Sequence, residues 1–145
     1  MSTAARQVCV KHGVVGAQER QRPVEVIGEE QLQDADPTPG MRRRQAFAAS
    51  GLWAGVVHTE PGATSGWHHH GDHETSLYVV RGRMRLEFGP GGRQVAEAGA
   101  GDFLHVPAGT VHRESNPSGT EASLAVIARA GTGVPTVNLD DPPPG

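Results

Sequence analysis

The segment Gly62–Gly82 holds half of the chain's eight histidines within six residues, His68 to His73, and runs straight into the apolar stretch Leu77-Tyr78-Val79-Val80. A histidine run at a terminus is the mark of an expression tag, but this one is central and mixed with Gly71, Asp72 and Glu74, so it asks for a metal. In extended backbone, alternate side chains leave the same face, and His68 and His70 then project together, roughly 7 Å apart along the strand. His73 and Glu74 follow within reach. The apolar strand behind them is a rigid support for ligands, so this stretch commits the fold to extended structure.

The rest of the chain agrees. Its 20 glycines and 11 prolines are spread without a repeat through 145 residues, a pattern of many turns joining short strands in one all-β domain. Residues 1–22 read as a polar arm interrupted by Val8-Cys9-Val10, residues 23–133 as the β domain, and residues 134–145, with three consecutive prolines, as a loosely held tail. Val24–Ile27 is a candidate first strand, and Glu29 to Asp36 allows one or two helical turns before Pro37 and Pro39. Leu52–Thr59 reads as a strand, with His58 in it as a packed or partly exposed residue and not a ligand. From Val79 to Phe88, Met84, Leu86 and Phe88 alternate with charged residues as in a half-buried strand. Gly89–Gly92 is a hairpin turn, and Arg93 to Ala98 returns. Gly101 to His112 reads as strand, Pro-x-Gly turn and strand, and Ala122 to Ala128 as a further strand. Met84, Leu86, Phe103 and Val126 are the expected core.

Thirteen basic against sixteen acidic residues give a net charge of −3, with no basic face that would imply nucleic acid. Arg42-Arg43-Arg44 reads as solvated surface or the rim of a pocket. The single cysteine, Cys9, rules out an internal disulfide framework and suits a reducing compartment. No apolar run approaches the roughly 20 residues of a membrane span, and the N-terminus lacks the order of a secretion signal. The protein is expected to be soluble and cytoplasmic.

A second constellation lies downstream. Gly101, Pro107, Gly109, His112 and Asn116 follow residue for residue the spacing of the second motif of the cupin superfamily, and Gly62, His68, His70 and Glu74 match the opening of its first. Over residues 62–116 the chain resembles a small single-domain cupin, with motif one at 62–82 and motif two at 101–116. The resemblance implies a double-stranded β-helix, or jelly-roll barrel, holding one divalent transition metal (Fe, Mn, Ni, Zn or Cu) through His68, His70, Glu74 and His112. The family leaves six residues between its glutamate and the closing glycine, whereas seven separate Glu74 from Gly82. Thr75 has the family spacing. Strand parity then aligns His73 with Thr75 facing inward unless a bulge restores Glu74, so His73 and Glu74 compete for the fourth ligand position. Gly62, Gly82, Gly101, Pro107 and Gly109 are expected to shape turns and touch no substrate. Trp53, Trp67, Tyr78, Arg85 and His105 are candidates to line the pocket.

Cupins carry many chemistries, and fold does not fix function. The sequence is read as a metal-dependent enzyme for a small organic substrate, with oxygenase, isomerase, cyclase or lyase chemistry at a histidine-rich site. The competing reading is a non-catalytic small-molecule-binding cupin with a structural metal or none. A homodimer is expected from the resemblance. Because imidazole coordinates only when neutral, metal occupancy is expected to fall below about pH 6.

Overall fold

The computed structural model describes residues 21–145; the expected polar arm falls mostly outside them. Alternation of apolar and polar residues, cut by frequent turns, produces eleven strands among the described residues: β1 Gln33–Thr38, β2 Met41–Ala49, β3 Leu52–Thr59, β4 Trp67–His69, β5 Glu74–Arg81, β6 Arg83–Phe88, β7 Gln94–Gly99, β8 Phe103–Val106, β9 His112–Ser115, β10 Ser123–Ala130 and β11 Val137–Leu139. All pairings are antiparallel. One sheet runs β1-β2-β3-β10-β5-β8 and the other β11-β4-β9-β6-β7. This is the expected all-β double-stranded β-helix.

The inward faces of the two sheets meet in a core of Met41, Val57, Leu77, Val79, Met84, Leu86, Ala98, Val106, Ala125 and Ile127, with Trp53, Ala63 and Leu104 packed against it. Two expected core residues are not in it. Phe103 is 70% exposed and packs at a tilt against Tyr78 with ring centroids 4.8 Å apart, and Val126 is 43% exposed. In both strands the inward set is one residue out of phase with the expectation: Leu104 and Val106 point in from β8, and Ser123, Ala125, Ile127 and Arg129 from β10.

Three local expectations also change. Val24–Ile27 forms no strand; Val24 is 97% and Val26 88% exposed, so neither finds the apolar surface that would hold a short strand in place. The helical turns after Glu29 shrink to a 3-10 turn at Glu29–Gln31, because the backbone then joins β1, where Pro37 is tolerated on an edge strand. The stretch from Val79 to Phe88 is two strands in different sheets, broken at Gly82. There φ is +76°, and a Cβ would lie 2.7 Å from the Ala122 carbonyl oxygen, so glycine is needed for the chain to cross between sheets.

Residues 134–145 are not a loose tail throughout. β11 pairs with β4 in the register Val137–His69, Asn138–His68 and Leu139–Trp67, adding a strand beside the histidine run.

Candidate metal centre

Three histidines converge. β4 pairs with β9 so that His68 stands directly opposite His112, and His70, two residues beyond His68, keeps the parity of its inward face. Ring centroids are 4.4 Å apart for His68 and His112, and 5.1 Å for each of the other two pairs. The donor atoms of all three lie within 4.8 Å of one another, and all three side chains are buried. His69, on the opposite face of β4, stays out of the group and accepts a hydrogen bond from the Gly71 N–H at 3.0 Å.

The tautomers follow from the backbone. His68 Nδ1 lies 2.9 Å from the Gly66 carbonyl oxygen, His70 Nδ1 2.8 Å from that of Pro135, and His112 Nδ1 2.9 Å from that of Thr110. A carbonyl accepts only, so each Nδ1 donates its proton and each Nε2 keeps a lone pair. This is the usual support for a metal-binding imidazole, fixing ring orientation and raising basicity. The donor set therefore fits a divalent transition metal. Burial pushes His70 down to about 3 and His112 to about 4, from an ordinary 6.5. These two donors keep their lone pairs well below pH 6, and the loss of occupancy expected there moves to lower pH.

The two competing fourth ligands both lie outside this group. β5 points Thr75, Leu77 and Val79 inward and Glu74 outward. The Glu74 carboxylate accepts the Ala108 N–H and lies 3.3 Å from His105 Nε2, tying β5 to the turn after β8. His73 is inward and buried, as parity implies, but its ring Nδ1 and its backbone N–H both reach the His70 carbonyl oxygen at 3.0 Å. It braces the loop that carries His70. The residue with the family spacing, Thr75, offers a buried hydroxyl that has no hydrogen-bond partner among the described residues.

Beside the triad is a buried charged cluster that sequence reading did not place. Arg43 and Glu114, each 7% exposed at the side chain, form an ion pair across the barrel. Arg43 also donates to Thr38 Oγ1 at 2.9 Å and to the Asp36 carbonyl oxygen at 3.3 Å. Burial alone would raise the Glu114 carboxyl, but the facing Arg43 guanidinium and the nearby His68 and His112 bring it to about 2. Arg129, on the inward face of β10, lies with its guanidinium carbon 4.7 Å from the centre of the Trp53 ring. The signals existed: Arg43 is inside the Arg42-Arg43-Arg44 run, and Glu114 sits two residues beyond His112 on the same strand face.

Two cavities open onto the triad. One of about 140 Å³ is lined by His68 and His70 together with Arg43, Arg129, Ser65 and Asn138. The other, about 240 Å³ and mostly apolar, is lined by His112 with Leu86, Phe88, Leu104, Val106 and Pro107. Of the expected pocket residues, His105 lines the apolar cavity and Trp53 backs Arg129. Tyr78 faces outward against Phe103. Arg85 lies beside Glu87 at 3.6 Å and Glu97 at 3.5 Å. Trp67 packs under the Arg113 guanidinium, 4.9 Å away.

The remaining motif positions shape the backbone. Gly109, at φ +73°, donates its N–H to the Gly71 carbonyl oxygen at 2.8 Å, joining the two motifs. Asn116 is 1% exposed and donates to the carbonyl oxygens of Thr59 and Glu121 at 3.2 and 2.7 Å, a structural tie.

Known structures share this architecture. KdgF from a Halomonas species superposes with a TM-score of 0.63 at 22% identity, over 77% of this chain and 96% of that one. An uncharacterised conserved protein with a double-stranded β-helix domain from Klebsiella pneumoniae gives 0.64 at 20% identity, over 83% and 100%. Oxalate decarboxylase of Bacillus subtilis, a protein with Mn(II) centres, gives 0.62 at 22% identity over 74% of this chain but only 30% of its own. No curated protein matches by sequence. The cupin domain family matches residues 55–128, which contain both motifs and all three converging histidines, and this chain is a member of the cupin family.

Proposed function

We propose that this cupin is a metal-dependent enzyme for a small organic substrate, built on a three-histidine centre of His68, His70 and His112. The observation that carries the reading is the set of three Nδ1 hydrogen bonds to backbone carbonyls, which leaves three Nε2 lone pairs free on rings whose donor atoms lie within 4.8 Å of one another. With Thr75 at the family carboxylate position and Glu74 bound to Ala108 and His105, all protein donors are neutral. A divalent ion held there keeps its full charge and supplies Lewis-acid or redox chemistry to a bound substrate. The chain's own residues hold the ion, exclude bulk water by the barrel walls, and shape a polar and an apolar approach to it.

In the described residues no helix is long and apolar enough to cross a membrane, and a single cysteine suits a reducing cytoplasm. The exposed outer-face residues Tyr78, Phe103 and Val126 suit a homodimer, which sedimentation would reveal.

The test is elemental analysis of untagged protein, followed by oxygen-uptake and turnover screens with small enolisable, thiol and phenolic compounds. Close to one equivalent of transition metal and metal-dependent turnover is the expected result. Metal without any turnover favours a binding protein, and protein that takes up no metal ends the proposal.

A further inference from the structure

We propose that the cavity beside His68 and His70 receives a small organic carboxylate, with Arg129 as the residue that holds its negative charge; the identity of its neighbour as a metal centre rests on the function proposed above.

Arg129 is 4% exposed, and no carboxylate among the described residues lies within ion-pair distance of it. Its Nε is buried without a hydrogen-bond partner. Asp36 lines the same cavity but makes no ion pair with it. The other buried guanidinium is committed: Arg43 is held by Glu114, Thr38 and the Asp36 carbonyl. The Glu114 carboxylate is in contact with Arg43 alone. Glu114 and Asp36 favour the charged form of Arg129 only through space, and neither touches it, so its guanidinium has no contacting anion among the described residues.

A guanidinium cannot escape by losing its proton at ordinary pH, and a buried charge without a partner is destabilising. The arrangement makes sense where an anion arrives. The Trp53 ring covers a face of the Arg129 guanidinium at 4.7 Å, which leaves the in-plane N–H groups other than the enclosed Nε for an acceptor. A planar carboxylate suits that edge through paired charge-assisted hydrogen bonds. The cavity of about 140 Å³ has room for several waters or one small organic acid. His68 and His70 share that cavity, so the far end of a 2-hydroxy or 2-oxo acid would lie toward the triad. Ser65 and Asn138, also in its lining, offer neutral hydrogen-bonding groups to that end.

The experiment uses the Zn(II)-loaded full chain and isothermal titration with sodium glycolate and with glycolamide, its uncharged counterpart of the same size. Glycolate is expected to bind about tenfold tighter or more. Arg129→Gln should remove that preference while metal stoichiometry, measured on the same sample, is unchanged, and Arg129→Lys should restore part of it. Equal binding of glycolate and glycolamide by wild-type protein overturns the proposal without needing any variant to fold. So does unchanged glycolate affinity in Arg129→Gln with its metal in place. If wild-type protein takes up no metal but still prefers glycolate through Arg129, the anion site stands and the metal centre falls.

Discussion

The two cavities that share the triad are built on opposite principles. The one at His68 and His70 is walled by Arg43, Arg129, Ser65 and Asn138, whereas the one at His112 is walled by Leu86, Phe88, Leu104, Val106 and Pro107. The apolar wall is an extension of the core, and each of its side chains stabilises the fold simply by leaving water. The polar wall gains nothing that way. Arg43 and Glu114 hold each other inside, whereas Arg129 has no contacting carboxylate among the described residues, so charged groups stand where apolar residues alone could have closed the barrel. The triad lies on the boundary, two members on one side and one on the other.

Substitutions can break this contrast. Arg43→Ala leaves Glu114 buried and unpaired, and should cost about 3–5 kcal/mol in urea unfolding. The double replacement Arg43→Met with Glu114→Leu should recover most of that loss, since a buried ion pair stabilises little more than apolar groups of similar volume. Leu86→Ala on the apolar side, by contrast, should cost about 2–5 kcal/mol with no partner whose removal repairs it. A double variant as unstable as Arg43→Ala would mean that the polar wall is structural after all.

Acid should separate the two sides next. His70 and His112 are depressed from 6.5 to about 3 and about 4, so below pH 6.5 the unfolded chain binds more protons than the folded one. Their contribution is complete above about pH 6.5 and is lost as pH falls toward 4 and 3; Glu114, depressed from 4.5 to about 2, adds a loss that begins near 4.5. The metal-free protein should therefore lose on the order of 6 kcal/mol between pH 7 and pH 4. The loss Leu86→Ala causes should be the same at both pH values. A flat stability profile over this range would contradict the buried, neutral state of the two imidazoles.

His112→Ala probes the boundary itself. Metal affinity should fall by about 100-fold or more while the far-ultraviolet spectrum stays that of a folded β protein, because the apolar core cluster is built from other side chains. The smallest effects distinguish the two residues that compete for the fourth position. His73→Ala should weaken metal binding by about tenfold through the loosened His70 loop. Glu74→Ala should change it by less than about threefold. A metal titration of the Glu74 variant showing a loss as large as that of His112→Ala would restore the carboxylate as a ligand.

These same residues show what could be read in advance. Both cupin motifs, the alternation of Met84 and Leu86, and the pairing of His68 with His70 were legible because each is a local spacing. The inward position of Arg129 was not. On β10 the alternate residues Leu124, Val126, Ala128 and Ala130 are all apolar, whereas Ser123, Ala125, Ile127 and Arg129 are mixed; hydrophobicity alone assigns the wrong set to the core. What overrides it is the β10 register against β3 and β5, which opposes Arg129 to Trp53 and Thr75. Register between strands far apart in sequence is not a local property. The bracing of Glu74 by Ala108 is non-local in the same way, and only parity along β5 hinted at it.

β11 bears on how such a site comes into being. The Pro135 carbonyl that fixes the His70 ring lies 65 residues downstream of it, and β11 closes over β4 from the same segment. A chain synthesised from its N-terminus would have both motifs in hand before the last support for His70 emerges. During synthesis, the hydrogen bond that orients the His70 ring is therefore among the last contacts of the site that can form. A chain lacking residues 134–139 would keep all three converging histidines but lose both the Pro135 support of the His70 ring and the strand beside β4.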